Sequence, residues 1–322
     1  MKSPPQAKSA VPRVLTDSRP FDRASPVSAL QQTQSLTGLA SQAAGPHTDG
    51  GAGASARIMG ILNVTPDSFS DGGRFHGLDA ALAGAARMRD EGAAIIDVGG
   101  ESTRPGAQPV VAAEEHSRVV PVIEAIISEL GIAVSIDTSK PEVMEAAIGA
   151  GATMINDIMA LRVEGAIETA RDLQVPVCLM HMQGMPRTMQ AEPRYDDVVS
   201  EVREFLLGRI DACVAAGMDE SKIIIDPGFG FGKTLQHNLA LLANLGVLVD
   251  TGYPVLAGLS RKSMIANMLG RAVDERIAAS AALALIAAQK GAAIVRVHDV
   301  AETADALAVA ARVAGAENDA SG

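Results

Sequence analysis

From Arg57 onward the chain repeats one pattern: a short run of β-branched or apolar residues, then a longer, alanine-rich stretch with helical spacing. The runs read RIMGILNV, AAIIDVGG, AVSIDTS, TMINDI, PVCLMH, KIIIDPG, YPVLAGLS and AAIVRVH, which makes eight. Among the helix-like segments between them are Leu78 to Glu91, Glu114 to Leu130, Pro141 to Ala150, Asp196 to Ala216 and Asp274 to Lys290. Near-continuous apolar runs suit parallel strands buried on both faces. Eight such βα units in about 260 residues match a closed (β/α)8 TIM barrel, an α/β fold. An open doubly wound sheet is the alternative, but no GxGxxG follows the first run to support it.

The pattern does not reach the N-terminus. Residues 1–54 are rich in Ser, Pro, Gln, Gly and Ala and carry SPPQ, RASP and GPHTDGGAGAS with no sustained apolar period. They read as a disordered extension. A transit peptide is the rival reading, since Arg13, Arg19 and Arg23 sit among serines, but Asp17 and Asp22 count against it. Residues 55–314 then form the barrel domain and 315–322 a flexible C-terminal tail.

Composition narrows the function classes. The chain has 322 residues, is 48% hydrophobic and carries a net charge of -11. Its pI is near 5.0. With 2% aromatics and no tryptophan, platforms for stacking bases are scarce, so a nucleic-acid partner is disfavoured. An anionic small substrate remains compatible, because a local cluster of Arg and Lys can bind it inside an acidic protein. Cys178 and Cys213 have neither metal-site nor disulfide spacing and read as buried reduced thiols. No apolar run is long enough to cross a membrane and no signal-peptide core is present, so a cytoplasmic location without membrane partners is expected.

A barrel of this kind builds its active site at the C-terminal ends of its strands. Those ends carry Asn63, Asp97 with Glu101, Asp137, Asn156 with Asp157, His181, Asp226, Ser260 with Arg261 and Lys262, and Arg296 with His298. Any one of these could be a turn former; eight together require mutual partners or a ligand, because buried carboxylates are costly alone. Asp137, Asn156 and Asp226 suit a flat nitrogen heterocycle, whose adjacent N–H groups a carboxylate accepts in parallel. Arg261, Lys262, Arg296 and His298 supply positive charge. SRKS leads into the apolar run MIANML, which puts Ser260 to Ser263 near a helix start that favours phosphate or carboxylate. A solvated basic turn is the plain alternative. Arg296 can also stack on a heterocycle while its edge meets phosphate.

Three loops stand out. TPDSFSDGG and ESTRPGAQPV mix Gly and Pro with charged, hydroxyl and aromatic groups and read as mobile lids, with Asp71 and Arg104 able to pair on closure. DPGFGFGKT ends in a phosphate-loop look-alike, but the residue six back from Lys233 is Pro227, so the GxxxxGK spacing fails. Phe229 and Phe231 on that loop suggest an apolar wall for an aromatic substrate, with core packing as the alternative. His181 reads as a hydrogen-bonded structural group more readily than as a ligand. There is no His/Cys cluster for zinc, so any metal is expected to be Mg²⁺ held largely by substrate phosphates.

Taken in order and spacing, ILNVTPDSFSDGG, DVGGESTRPGA, SIDTSKPEV, IND, HMQGMPRTMQ, DPGFGFGK, GLSRKSMI and RVHDV closely resemble the dihydropteroate synthase family. The resemblance covers residues 57–313. It implies a TIM barrel, commonly a homodimer, that condenses 6-hydroxymethyl-7,8-dihydropterin pyrophosphate with 4-aminobenzoate to 7,8-dihydropteroate and pyrophosphate, with Mg²⁺.

Carried onto this chain, it implies that Asp137, Asn156, Asp226 and Lys262 hold the pterin, with Met180 packing nearby and Arg296 stacking. Of these, Lys262, Arg296, Asp137 and Asp226 carry the chemistry. Asn63, Arg296 and His298 would hold the pyrophosphate, with Asn63 at the metal. Phe69, Thr103, Arg104, Pro105, Phe231, Lys262 and Ser263 would form the aminobenzoate site, Ser263 at the carboxylate. Met185, on the loop after the fifth run, departs from the family pattern, where a polar residue, commonly Asn, is expected; the departure puts none of these site residues in doubt. Two other readings stay open: a methyltetrahydrofolate corrinoid methyltransferase domain, which shares the barrel and its Asp/Asn ring, and a non-catalytic pterin-binding paralogue. Neither is expected to keep all the loop motifs together with Lys262.

Overall fold

A computed structural model describes residues 56–64, 73–102, 108–185 and 188–320. The expectations for residues 1–54 and for the lid residues Phe69, Asp71, Thr103, Arg104 and Pro105 lie outside the described residues.

All eight expected strands form: β1 (Arg57–Asn63), β2 (Ile95–Gly99), β3 (Ala133–Asp137), β4 (Met154–Asp157), β5 (Val177–Met180), β6 (Ile223–Asp226), β7 (Leu256–Ala257) and β8 (Ile294–Val297). They pair in parallel in the order β6-β5-β4-β3-β2-β1-β8-β7. The ring closes where Ile225 bridges Val255, with the Ile225 N–H donating to the Pro254 carbonyl at 3.0 Å. β7 is only two residues long, and proline at 254, which has no N–H to give, helps account for its late start.

The helices are α1 (Gly73–Asp90), α2 (Ala112–Ala125), α3 (Pro141–Gly149), α4 (Ala166–Leu173), α5 (Val198–Ala215), α6 (Leu235–Ala243), α7 (Gly246–Val249), α8 (Ser263–Leu269), α9 (Ile277–Gln289) and α10 (Val300–Ala320). The expected helix to Leu130 is α2 followed by a wider π-helical turn over Ile126–Leu130, which ends at Gly131 in the left-handed region. Residues 315–320 of the segment expected as a tail are helical, since α10 runs on to Ala320, and residues 321–322 lie outside the described residues. The segment is dense in Ala, and one interior Gly costs less than that propensity gains.

Strand side chains alternate between two environments. One residue from each strand, Met59, Ile95, Ala133, Met154, Cys178, Ile224, Leu256 and Ile294, fills the barrel floor as a closed apolar cluster. Neighbouring positions such as Val98, Ile136, Ile155, Leu179 and Ile225 face outward into the larger core shared with the helices. Two residues beyond the floor, on the same inner face, come Ile61, Asp97, Ser135, Asn156, Met180, Asp226, Gly258 and Arg296, five of the eight polar. An apolar plug thus sits beneath a polar mouth. Both cysteines are buried with free thiols, Cys178 in the floor and Cys213 on α5.

Candidate active site

Arg296 ties three strands together. Its Nε donates to Asp97 Oδ2 at 2.5 Å and its Nη2 to Asp137 Oδ2 at 2.7 Å. Asn156 Nδ2 donates to the same Asp97 oxygen at 3.0 Å. Asp97 is fully buried, and its other oxygen has no hydrogen-bond partner in the structure; nor has the buried hydroxyl of Ser135, its register neighbour on β3. Burial works against the Arg296 charge, but Asp97 and Asp137 overcome it and raise its pKa. Asp137 is pushed up to about 7, chiefly by burial, with Arg296 opposing the shift and Asp97 adding to it. A buried carboxylate with a raised pKa at the mouth of a barrel makes Asp137 a candidate functional group.

Across the mouth, Asp226 ends β6, and its Oδ1 accepts the Gly228 N–H at 2.7 Å. Burial raises its pKa, and Lys262 is the main force in the other direction. Burial pushes Lys262 down to about 8, opposed by Asp226. The Lys262 ammonium donates to the Phe229 carbonyl and stands 4.7 Å from the Phe231 ring centroid. Phe229 itself is fully buried, so the packing reading holds for it, whereas Phe231 borders the mouth. Met180, Met182 and Met189 pack with Phe231, Ile158 and Met159 into an apolar wall beside these charges.

The loop DPGFGFGKT reaches this geometry through glycine. Gly228 sits at φ +66°, and a Cβ there would lie 1.9 Å from the His181 carbonyl oxygen. The expected rejection of a phosphate loop is matched by the fate of its lysine: Lys233 is buried and donates to His181 Nδ1 at 2.9 Å.

Several polar strand ends turn away from the mouth and brace the loops. Asp157 accepts the Met159 and Leu161 N–H groups at 2.8 and 2.7 Å, and the Ser139 hydroxyl. Glu101 takes the Val110 N–H at 3.3 Å and pairs with Lys140, which also meets the buried Glu115 at 2.5 Å. Arg261 pairs with Asp299. His181 is structural as expected, its ring held by Lys233 and edge-on to Phe205.

Asn63 ends β1 beside the mouth. A Cβ built on Gly99 would lie 3.7 Å from Asp137 Oδ2 and 3.8 Å from Asn63 Oδ1, so both oxygens flank one position. His298 donates its N–H to Ser260 Oγ at 3.2 Å, with Nδ1 3.0 Å from the same oxygen. Ser263 is the first residue of α8, exposed next to Lys262. Asn63, Asp137, Asn156, Met180, Asp226, Phe231, Lys262, Arg296 and His298 thus belong to strand ends or the loops that follow them, and Ser263 starts the helix after one such loop. Asp97 is the residue that sequence reasoning placed in the ring without a role. Only its sequence position beside the GGES motif marked it. Its hydrogen bonds come from strands β4 and β8, nearly 60 and 200 positions away.

The sequence profile of the pterin binding enzymes matches residues 59–298. The dihydropteroate synthase of Haemophilus influenzae is 57% identical over 253 residues, which is 79% of this chain and 92% of that protein. The solved structure of the Xanthomonas albilineans dihydropteroate synthase with 4-aminobenzoic acid has a TM-score of 0.76 at 54% identity, covering 80% of this chain and 93% of that one. The same enzyme in complex with 7,8-dihydropteroate has a TM-score of 0.73 at 51% identity, again covering 80% and 93%. Barrel topology, a carboxylate and amide ring facing lysine and arginine, and identity over most of both chains converge: this chain belongs to the pterin binding enzymes and, within them, to the dihydropteroate synthase family.

Proposed function

We propose that this chain condenses 6-hydroxymethyl-7,8-dihydropterin pyrophosphate with 4-aminobenzoate, giving 7,8-dihydropteroate and pyrophosphate. The observation that carries the reading is the barrel mouth of this family member, where Asp97, Asp137, Asn156 and Asp226 face Arg296 and Lys262. A dihydropterin offers adjacent N–H donors on a guanidine-like edge, and paired carboxylates with an amide accept them. Asp137, Asn156, Asp226 and Lys262 therefore hold the ring, with Met180 against it and Arg296 stacked over its face. Asn63, Arg296 and His298 receive the pyrophosphate.

The reaction breaks the bond between the pterin methylene and the pyrophosphate oxygen, whose electron pair leaves with the pyrophosphate. The methylene cation is delocalised into the ring, and the carboxylates around the ring stabilise it. The neutral arylamine then forms the C–N bond and gives up a proton. No strong base is needed, because an aromatic amine is unprotonated near neutral pH. Phe231, Lys262 and Ser263 hold the aminobenzoate, with Ser263 at its carboxylate; the parts expected of Phe69, Asp71, Thr103, Arg104 and Pro105 lie outside the described residues.

Mg²⁺ fits the residue assigned to it: Asn63, at the end of β1, brings the side-chain oxygen Oδ1, a hard donor, to the mouth. When bound, it would neutralise charge on the leaving pyrophosphate. A homodimer is the assembly we favour, since Leu269, Val273, Ile286, Val309 and Val313 leave apolar surface exposed on and around α8, α9 and α10. The proposed compartment is the cytoplasm, and no described helix is long and apolar enough to cross a membrane.

The test is pyrophosphate release from the dihydropterin pyrophosphate with Mg²⁺, with and without 4-aminobenzoate, while dihydropteroate is followed by chromatography. Release coupled to dihydropteroate formation supports the reading. Tight pterin binding without product moves the assignment to a pterin-binding paralogue or a methyltransferase domain.

A further inference from the structure

The carbonyl oxygens from Gly228 to Lys233, six in a row, each accept a side-chain donor. Lys262 takes Phe229, Gln190 takes Gly230, Tyr195 takes Gly232 at 2.8 Å and Asn238 takes Lys233 at 3.4 Å. The other two belong to Lys233 itself, whose Nζ donates to Gly228 at 2.9 Å and to Phe231 at 3.0 Å. The same Nζ lies 2.9 Å from His181 Nδ1. Burial lowers the pKa of this amine well below the usual lysine value, with Asp226 the main opposing charge, and all of its hydrogen bonds stay inside the loop and its neighbour His181. The side chain is 3% exposed, so it has no ligand to reach and no contact with bulk solvent.

Burying a lysine is expensive and persists only where the hydrogen bonds compensate. What the loop gains is a fixed shape. Phe229 and Phe231 flank the clamped carbonyls, and between them they hold Lys262: one by its carbonyl, the other by its ring at 4.7 Å. His181 is neutral, its pKa pushed down to about 2 by burial and by Lys233.

We propose that Lys233 is a positioning residue for the condensation: its clamp on the Gly228 and Phe231 carbonyls sets where Phe231 and Lys262 meet the second substrate. The inference rests on the reading that Phe231 and Lys262 take 4-aminobenzoate. It also assigns a use to GFGKT, the motif that failed as a phosphate loop.

The test is Lys233→Met in the full chain, with pterin affinity by calorimetry and the KM for 4-aminobenzoate at saturating dihydropterin pyrophosphate. We expect the aminobenzoate KM to rise about tenfold while the pterin Kd changes by less than about twofold. A structural role alone would lower the folded fraction and leave both constants of the folded enzyme unchanged, which overturns the proposal. Should Lys233→Met not fold, Tyr195→Phe removes one hydroxyl from the next clamped carbonyl. There a rise of about threefold in KM supports the clamp, and an unchanged KM overturns it. If the native chain itself makes no dihydropteroate, the functional reading fails independently. A crystal structure of the variant then decides: Lys262 displaced from Phe229 and Phe231 supports positioning, and an unmoved loop overturns it.

Discussion

Arg296 Nη2 lies 2.7 Å from Asp137 Oδ2, yet Asp137 is pushed up to about 7 because burial outweighs its cation. Asp97 draws on the same guanidinium at 2.5 Å, so one cation serves two carboxylates. Below about pH 7 Asp137 takes a proton and can no longer accept two pterin N–H groups as an anion. Pterin affinity is expected to fall towards tenfold per pH unit below that point, measured by calorimetry from pH 5 to 8, and Asp137→Asn should flatten the dependence. The stability effect has the opposite sense. The folded pKa lies above the unfolded value of about 3.9, so the folded chain binds the extra proton and Asp137 removes stability as pH rises from about 4 to about 7. Urea titrations of Asp137→Asn should show a smaller loss across that window. An unchanged pH slope in both measurements would count against a shifted Asp137.

Lys262 sets the other limb. Its pKa is pushed down to about 8 by burial, so the cation beside Phe231 is lost as pH rises through that value. Turnover at fixed, sub-saturating 4-aminobenzoate is expected to decline above about pH 8. Lys262→Arg keeps a charge at all these pH values but not the geometry. It should therefore be slower at pH 7.5 and lack the alkaline decline up to pH 10. The same decline in the variant would assign the limb to another group.

The strand count, the helices between the strands and the polar ring were legible because each rests on local periodicity. Which ring members face substrate was not. Asp137 and Asp157 read alike from sequence, both acids ending apolar runs, but Asp157 spends itself on the Met159 and Leu161 N–H groups of its own loop. Glu101, His181 and Arg261 are likewise occupied by Lys140, Lys233 and Asp299, partners that only the closed barrel brings near. Asp97 is the converse case, a residue whose weight comes wholly from β4 and β8.

Asp97 accordingly offers a sharp mutational test. Its Oδ2 receives both Arg296 and Asn156, and it is fully buried. Removing its charge leaves Arg296 with Asp137 alone, and breaking one partner of a buried pair costs about 3–5 kcal/mol. Asp97→Asn is expected to lose a large part of that in thermal or urea unfolding. Pterin affinity should drop at least about tenfold, because Asn156 and Arg296 lose their shared anchor. Native stability with native affinity would mean that the two donors hold their places without it.

Gly228 tests how far the loop after β6 depends on backbone alone. Its φ is +66°, and a Cβ would sit 1.9 Å from the His181 carbonyl oxygen, a backbone atom that cannot swing aside. Its own N–H is held by Asp226 and its carbonyl by Lys233, so neither end of the peptide is free to rotate. Alanine there combines left-handed strain with a steric clash, each of which costs about 1–3 kcal/mol. Gly228→Ala is expected to lose about 3 kcal/mol or more in urea unfolding, and any folded fraction should bind pterin weakly, because relief of the clash moves the chain beside Asp226. Gly270→Ala is the control. It has φ +67° with nothing within 4 Å of a built Cβ, so strain alone should cost it about 1 kcal/mol. Equal losses in the two variants would show that left-handed strain, rather than the approach of β5 and β6, fixes glycine at 228.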